Sequence, residues 1–168
     1  QGSYMLRIHN EFLDSATGRF KMSNIRTEIK GFHGIQEYCK HNDIKKLMSN
    51  FESVFAVEFY KKMPYLKENG ESVFPVNFDD FNFRVSYQTE EKIKTHSGII
   101  QGLIDSWEKS KKTFRYINRV TFSHPDIPIN VDISIVKSSS TEDRRIKPAY
   151  TTDDSGVFQN PEVYEIEL

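Results

Sequence analysis

Strand after strand in this sequence alternates a charged or polar residue with an apolar one, and that period of two limits the fold more than any other feature. In NIRTEIK, Arg26, Glu28 and Lys30 alternate with Ile25, Thr27 and Ile29. FNFRVSYQTEEKI reads as one strand, and its first half sets Asn82, Arg84 and Ser86 against Phe83, Val85 and Tyr87. FRYINRVTF gives Arg115 and Arg119 one side and Phe114, Tyr116, Val120 and Phe122 the other. VDISIVK opposes Asp132 and Ser134 to Val131, Ile133 and Ile135, and VYEIEL opposes Glu165 and Glu167 to Tyr164, Ile166 and Leu168. Successive side chains of a strand point to opposite faces, so these stretches build a sheet with one charged and one apolar face.

Two helical patterns interrupt the strands. GIQEYCKHNDIKKLMSNF spaces Ile35, Tyr38, Ile44, Leu47, Met48 and Phe51 at helical intervals, with a break expected near His41 and Asn42. HSGIIQGLIDSWEKSKK gathers Ile99, Ile100, Leu103, Ile104 and Trp107 on one stripe, and its trailing lysines suit the negative end of a helix dipole. The first two strands flank SATG, a turn in which Gly18 can adopt positive φ. SHPDIP reads as a turn between two further strands, and SSSTEDRRIKPAYTTDDSG as a long mobile loop. The expected fold class is α+β: an antiparallel, strand-dominated domain with at least two helices. Residues 4–168 form a single domain in this reading, and Gln1 to Ser3 read as an expression-tag remnant.

The balance of 23 Lys+Arg against 24 Asp+Glu leaves no overall basic field for nucleic acid, so a polyanion must be met by a local cluster. A lone cysteine, Cys39, excludes an internal disulfide framework and fits a helix core better than a nucleophile's surroundings. The five histidines have no metal-ligand spacing, no Gly-rich phosphate loop occurs, and no apolar run approaches the roughly 18 residues of a membrane span.

Arginines and carboxylates at strand centres point to a definite chemistry. A guanidinium offers a planar fork matched to phosphate oxygens, and paired carboxylates are hard ligands suited to Mg²⁺ or Mn²⁺. Brought together inside a closed sheet, they suit a metal-bound polyphosphate. A sheet with one wet outer face would show the same alternation, and periodicity alone leaves both open.

The ending PEVYEIEL, with FRYINRVTFSHPDIPINVDISIVKSS and NFDDFNFRVSYQTEEKI before it, resembles the RNA 5′-triphosphatase domain of mRNA capping enzymes from large nucleocytoplasmic DNA viruses, mimivirus-like ones above all. Those domains belong to the triphosphate tunnel metalloenzymes, and the resemblance runs from MLRIHNEF to the end. It implies an antiparallel β-barrel of about eight strands in the complete domain, its charged face inward and two or more helices packed outside, and a hydrolase that removes the γ-phosphate of nascent mRNA with Mg²⁺ or Mn²⁺. Carried over residue by residue, the terminal Glu-x-Glu puts the metal on Glu165 and Glu167. Arg84 and Arg119 become the leading catalytic basic residues and Asp132 a wall acid behind them. Arg115, Lys137, Arg26 and Lys30 would also hold the triphosphate.

The resemblance further implies an RNA 5′ end as substrate, guanylyltransferase and methyltransferase domains as partners, no membrane, and a place in the viral factory of the host cytoplasm or in the virion. The transferase signature KxDG is absent, so a capping role would fall to the triphosphatase step. Family members also carry an acidic pair in the first strand, where IRTEIK has an arginine; that strand is expected to lie outside the sequence. Two other readings fit the residues: a non-catalytic RNA-end or polyphosphate binder, and a triphosphatase for a small inorganic or organic triphosphate.

Overall fold

A computed structural model describes residues 3–168. It opens on a hairpin, β1 (Ser3–Asp14) and β2 (Arg19–Lys30), whose turn ends at Gly18 with φ +65°. α1 (Phe32–His41), α2 (Ile44–Ser49) and β3 (Val57–Pro64) follow. Next come β4 (Val76–Phe78), β5 (Phe83–Val85), β6 (Gln88–Ile93) and α3 (Gly98–Asp105). A long hairpin, β7 (Lys112–His124) and β8 (Ile127–Ser138), leads through β9 (Thr141–Glu142), β10 (Arg145–Ile146) and α4 (Thr152–Ser155) to β11 (Val163–Glu167).

Seven strands form one sheet in the order β11-β8-β7-β1-β2-β3-β6, with every neighbouring pair antiparallel. The sheet curls into a half-barrel with the helices outside. Its outer side carries Leu6, Ile8, Ile29, Phe59 and Phe114, all buried, against Ile35 and Tyr38 of α1, Ile44 and Leu47 of α2, Ile100 and Ile104 of α3, and Trp107. Burying each large apolar side chain is worth about 1.5–3 kcal/mol, so slipping any central strand by one residue would expose its whole apolar row. That penalty pins the register and sends every charged side chain of the alternation to the concave side. The helices cover only part of the outer side: Phe122, Ile133, Tyr164 and Ile166 stay exposed on β7, β8 and β11.

Local chemistry accounts for the helix ends. α1 stops at Asn42, which takes the left-handed conformation, and Asp43 then caps α2 by accepting from the backbone N–H groups of Lys45 (2.8 Å) and Lys46 (3.4 Å). Trp107 Nε1 donates to the Asn42 carbonyl at 3.1 Å, tying the segment after α3 to this break.

Three expectations need correction. The stretch 81–93 is two strands in two sheets: β5 pairs only with β4 in a separate ribbon, and β6 pairs with β3. α3 ends at Asp105, so the lysines after it lie in a one-turn helix, a loop and β7; Lys112 is buried with its ammonium on the Ser110 carbonyl at 2.7 Å. The expected mobile loop holds β9, β10 and α4, with Ser139, Thr152 and Ser155 buried. Its polar composition hid this, because hydrogen bonds such as Ser140 N–H to the Ser155 carbonyl (2.8 Å) anchor it in place of apolar contacts. The main sheet itself has seven strands, and among the described residues its ladder runs from β11 to β6 as a half-barrel, in keeping with the expected antiparallel tunnel architecture.

Candidate polyphosphate site on the concave face

β1 is the middle strand, and Arg7 at its centre stands opposite Glu28 on β2 and Arg115 on β7. Glu28, 4% exposed, receives Arg7 Nε at 2.9 Å and Arg26 Nη2 at 2.9 Å. Arg26 also forks onto Glu90 of β6 at 3.0 and 3.2 Å. Burial lowers the pKa of Arg7, and the neighbouring charge of Arg26 lowers it further against the pull of Glu28. Burial works the same way on Arg26, but its bonds to Glu90 and Glu28 outweigh it and leave its pKa raised. The Nε of Arg26 is buried and has no acceptor among the described residues.

Toward the β6 edge, Glu58 of β3 gathers Lys30, Lys92 at 2.6 Å and the Tyr60 hydroxyl at 2.5 Å. Burial alone would raise the Glu58 pKa; the two ammonium groups and the hydroxyl reverse that and hold it at about 2. Toward the other edge, Arg119 of β7 makes one hydrogen bond from each of its three nitrogens. Its Nε donates to Ser134 Oγ (2.9 Å), Nη1 to Asp132 (2.8 Å) and Nη2 to Glu167 (2.8 Å). Arg115 places one Nη2 against both oxygens of Glu165, at 2.7 and 2.8 Å. These last pairs reach across β8 from β7 to β11, a span of about two strand spacings that only long side chains bridge on a concave surface.

One face therefore holds six carboxylates, Glu28, Glu58, Glu90, Asp132, Glu165 and Glu167, each paired with one or more of Arg7, Arg26, Lys30, Lys92, Arg115 and Arg119. The structure brings together seven of the residues picked out in the sequence: Arg26, Lys30, Arg115, Arg119, Asp132, Glu165 and Glu167. Two are elsewhere. Lys137 lies on the outer face, opposite Tyr116, with its ammonium on the Phe158 carbonyl at 3.1 Å. The phase of β8 forces this, since Lys137 is an odd number of residues from Asp132 and Ser134. Arg84 sits in the β4–β5 ribbon outside the main sheet, exposed, and forms no ion pair among the described residues. Alternation gave it a matching phase, but a shared phase has meaning only within one sheet.

Arg7, Glu58, Tyr60, Glu90 and Lys92 escaped the sequence reading. Arg7 between Leu6 and Ile8, and Glu58 and Tyr60 on either side of Phe59, follow the same alternation and could have been found by it.

Two carboxylates at i and i+2 on one strand, on the same face and about 7 Å apart along it, match a hard divalent cation in donor chemistry. Glu165 and Glu167 have that placement, and each is bound to an arginine. Among the described residues no three acidic, histidine or cysteine side chains cluster closely enough to form a metal site by themselves.

No known family profile matches the sequence. No curated protein is similar to it at a significant level either. Among solved structures, the triphosphatase of the Mimivirus capping enzyme, in a monoclinic crystal, superposes with a TM-score of 0.52 over 99% of this chain at 15% identity. The two share one fold. This chain spans 64% of the length of that structure. The curled antiparallel sheet with helices outside is thus the triphosphate tunnel architecture, and at this identity the likeness concerns architecture alone. No helix among the described residues is long and apolar enough to cross a membrane.

Proposed function

We propose that this chain is a metal-dependent RNA 5′-triphosphatase, a phosphoanhydride hydrolase that removes the γ-phosphate of nascent mRNA as the first step of cap formation. One observation carries the proposal: on a fold shared with a viral capping-enzyme triphosphatase, arginines and carboxylates converge on the concave face at hydrogen-bond distance. Arg7, Arg26, Arg115 and Arg119 supply fixed positive charge where a triphosphate would lie, and offset charge developing on its oxygens during transfer. Asp132 and Ser134 hold the Arg119 fork in one orientation. Glu165 and Glu167 would hold Mg²⁺ or Mn²⁺. When bound, that ion would polarise the γ-phosphoryl group and make water more acidic. The setting is a capping enzyme with guanylyltransferase and methyltransferase activities, in the viral factory or the virion.

The test is phosphate release from 5′-triphosphate RNA, measured on this chain and on a longer protein containing it, with Mg²⁺, Mn²⁺ or chelator. Release is expected only with metal, and Glu165→Gln or Glu167→Gln should abolish it while the circular dichroism spectrum is unchanged. Normal turnover by the Gln variants, or equal turnover in chelator, would overturn the metal assignment. A second reading, a non-catalytic polyphosphate binder, is favoured by the complete pairing of the six carboxylates. It requires tight tripolyphosphate binding without phosphate release under any metal condition. Tripolyphosphate or a nucleoside triphosphate turned over faster than RNA would point to a small-molecule triphosphatase.

A further inference from the structure

The β7–β11 side of the face contains a conflict that bears on which ligand it accepts. Nη2 of Arg115 and Nη2 of Arg119, the guanidinium nitrogens turned toward β11, are held by Glu165 and Glu167, the carboxylates best placed for a cation. An arginine fork cannot serve a carboxylate and a phosphate with the same N–H groups. A carboxylate locked to an arginine is equally poor as a metal ligand.

The two pairs are built for exchange rather than permanence. Glu167 is 58% exposed and Arg115 and Glu165 about a third exposed, which is the range in which ion pairs add little stability and open readily. Arg119, only 13% exposed, keeps Ser134 and Asp132 when Glu167 leaves, so its fork stays aimed. Among the described residues Arg115 makes its side-chain hydrogen bonds to Glu165 alone, and it is free to swing once that carboxylate is taken.

We propose that Glu165 and Glu167 act as placeholders that make this face selective for metal-loaded polyphosphate over the free anion. Their carboxylates occupy the arginine donors until a divalent cation draws them away. Resting on the triphosphate reading above, this makes cation and polyphosphate mutually dependent: each releases the groups the other needs. Thermodynamic reciprocity then requires that each raise the affinity of the other by the same factor.

The experiment is calorimetric titration of the chain with tripolyphosphate in chelator, with Mn²⁺ alone, and with both. The wild type should bind both together at least about tenfold more tightly than either alone. Glu165→Gln and Glu167→Gln should bind metal-free tripolyphosphate about tenfold more tightly than the wild type, a gain of function that misfolding cannot mimic. Arg115→Ala should bind Mn²⁺ alone more tightly by a similar factor, because it frees Glu165. Glu162→Gln removes the same charge beside Lys137 on the outer face and should change tripolyphosphate affinity less than twofold.

The placeholder role is overturned if the Glu165 and Glu167 variants show no gain, or if Glu162→Gln gains as much, which would make the effect one of bulk charge. These outcomes are separate from the fate of the triphosphatase reading. Gains in binding with no phosphate release under any condition would leave the placeholder role standing and remove the enzyme. Metal-dependent release with no gain in binding would do the reverse.

Discussion

Glu28→Gln is the substitution whose cost the structure lets one work out most directly. Its carboxylate is 5% exposed and lies between the guanidinium groups of Arg7 and Arg26, themselves 17% and 7% exposed. The amide keeps the volume and can still accept one N–H, but it removes the negative charge that balances two buried cations. Arg26 falls back on Glu90; Arg7 has no other carboxylate within 4 Å among the described residues. Breaking a buried pair by removing one partner costs about 3–5 kcal/mol, and the amide's remaining hydrogen bond argues for about 3. For a domain of this size each kcal/mol moves the midpoint by roughly 2–4 °C, so Tm should fall by about 6–12 °C. Thermal unfolding followed by circular dichroism at neutral pH measures it. Glu90→Gln is the matched control: Glu90 is 43% exposed and Arg26 keeps Glu28, so the loss should be under about 1 kcal/mol. A Glu28→Gln midpoint within 2 °C of the wild type, on the order of the scatter expected for a surface change, would refute the claim that this pair is buried and uncompensated. So would an equal loss in both variants.

Arg119→Ala should reduce triphosphate hydrolysis at least about a hundredfold in kcat/KM, while Lys109→Ala, in the one-turn helix after α3, should leave it within about twofold; equal activities would remove Arg119 from the site. Glu58 has its pKa depressed to about 2 in the fold, so the stability it contributes is present above its unfolded pKa near 4.5 and is lost as pH falls toward 2. The stability gap between wild type and Glu58→Gln, measured in urea, should therefore be constant at neutral pH and close over that acid window; a gap that persists at pH 2 would contradict it. Burial lowers the pKa of Lys112 to about 8, so the unfolded chain holds a proton that the folded chain has released, and stability should rise between about pH 8 and 10. Lys112→Met should flatten that rise, and an unchanged profile would count against it.

How much was legible in the sequence depends on how local the signal was. Arg115, Arg119, Asp132, Glu165 and Glu167 were found because each lies on a strand whose apolar neighbours fix its face, and the structure places all five on the concave side. Arg84 was misplaced because FNFRVSYQTEEKI reads as one strand. The change of sheet between Val85 and Gln88 comes from pairing partners far along the chain, β4 for one half and β3 for the other. Lys137 was carried by family resemblance against the phase of its own strand, and the phase was the better guide. The Glu28 bridge could not be read at all, because it depends on which strand lies beside β2. Strand order is a tertiary fact that alternation does not encode. α4 was missed for a different reason: its buried residues, Thr152 and Ser155, are polar and held by hydrogen bonds, so no hydrophobic signal marks it.

The bulge in β1 has a consequence for how such a protein can change over time. Between His9 and Glu11 the pairing with β2 shifts, and Asn10 is buried beside Ser110, with Asn10 Nδ2 donating to Ser110 Oγ at 2.8 Å. Before this point a single-residue insertion or deletion in β1 would rotate Arg7 into the apolar core and Leu6 or Ile8 into the charged face, with no neighbouring turn to absorb the change. Beyond it β1 has left β7 and pairs with β2 alone out to an exposed hairpin tip, where length can vary. An insertion scan across residues 4–20 should therefore show a sharp boundary at Asn10, with folding lost on its N-terminal side and retained toward Gly18. Individual charges can trade places across neighbouring strands as long as each keeps its side, so side-chain identity on this wall can drift far while the length of each strand between its turns stays fixed.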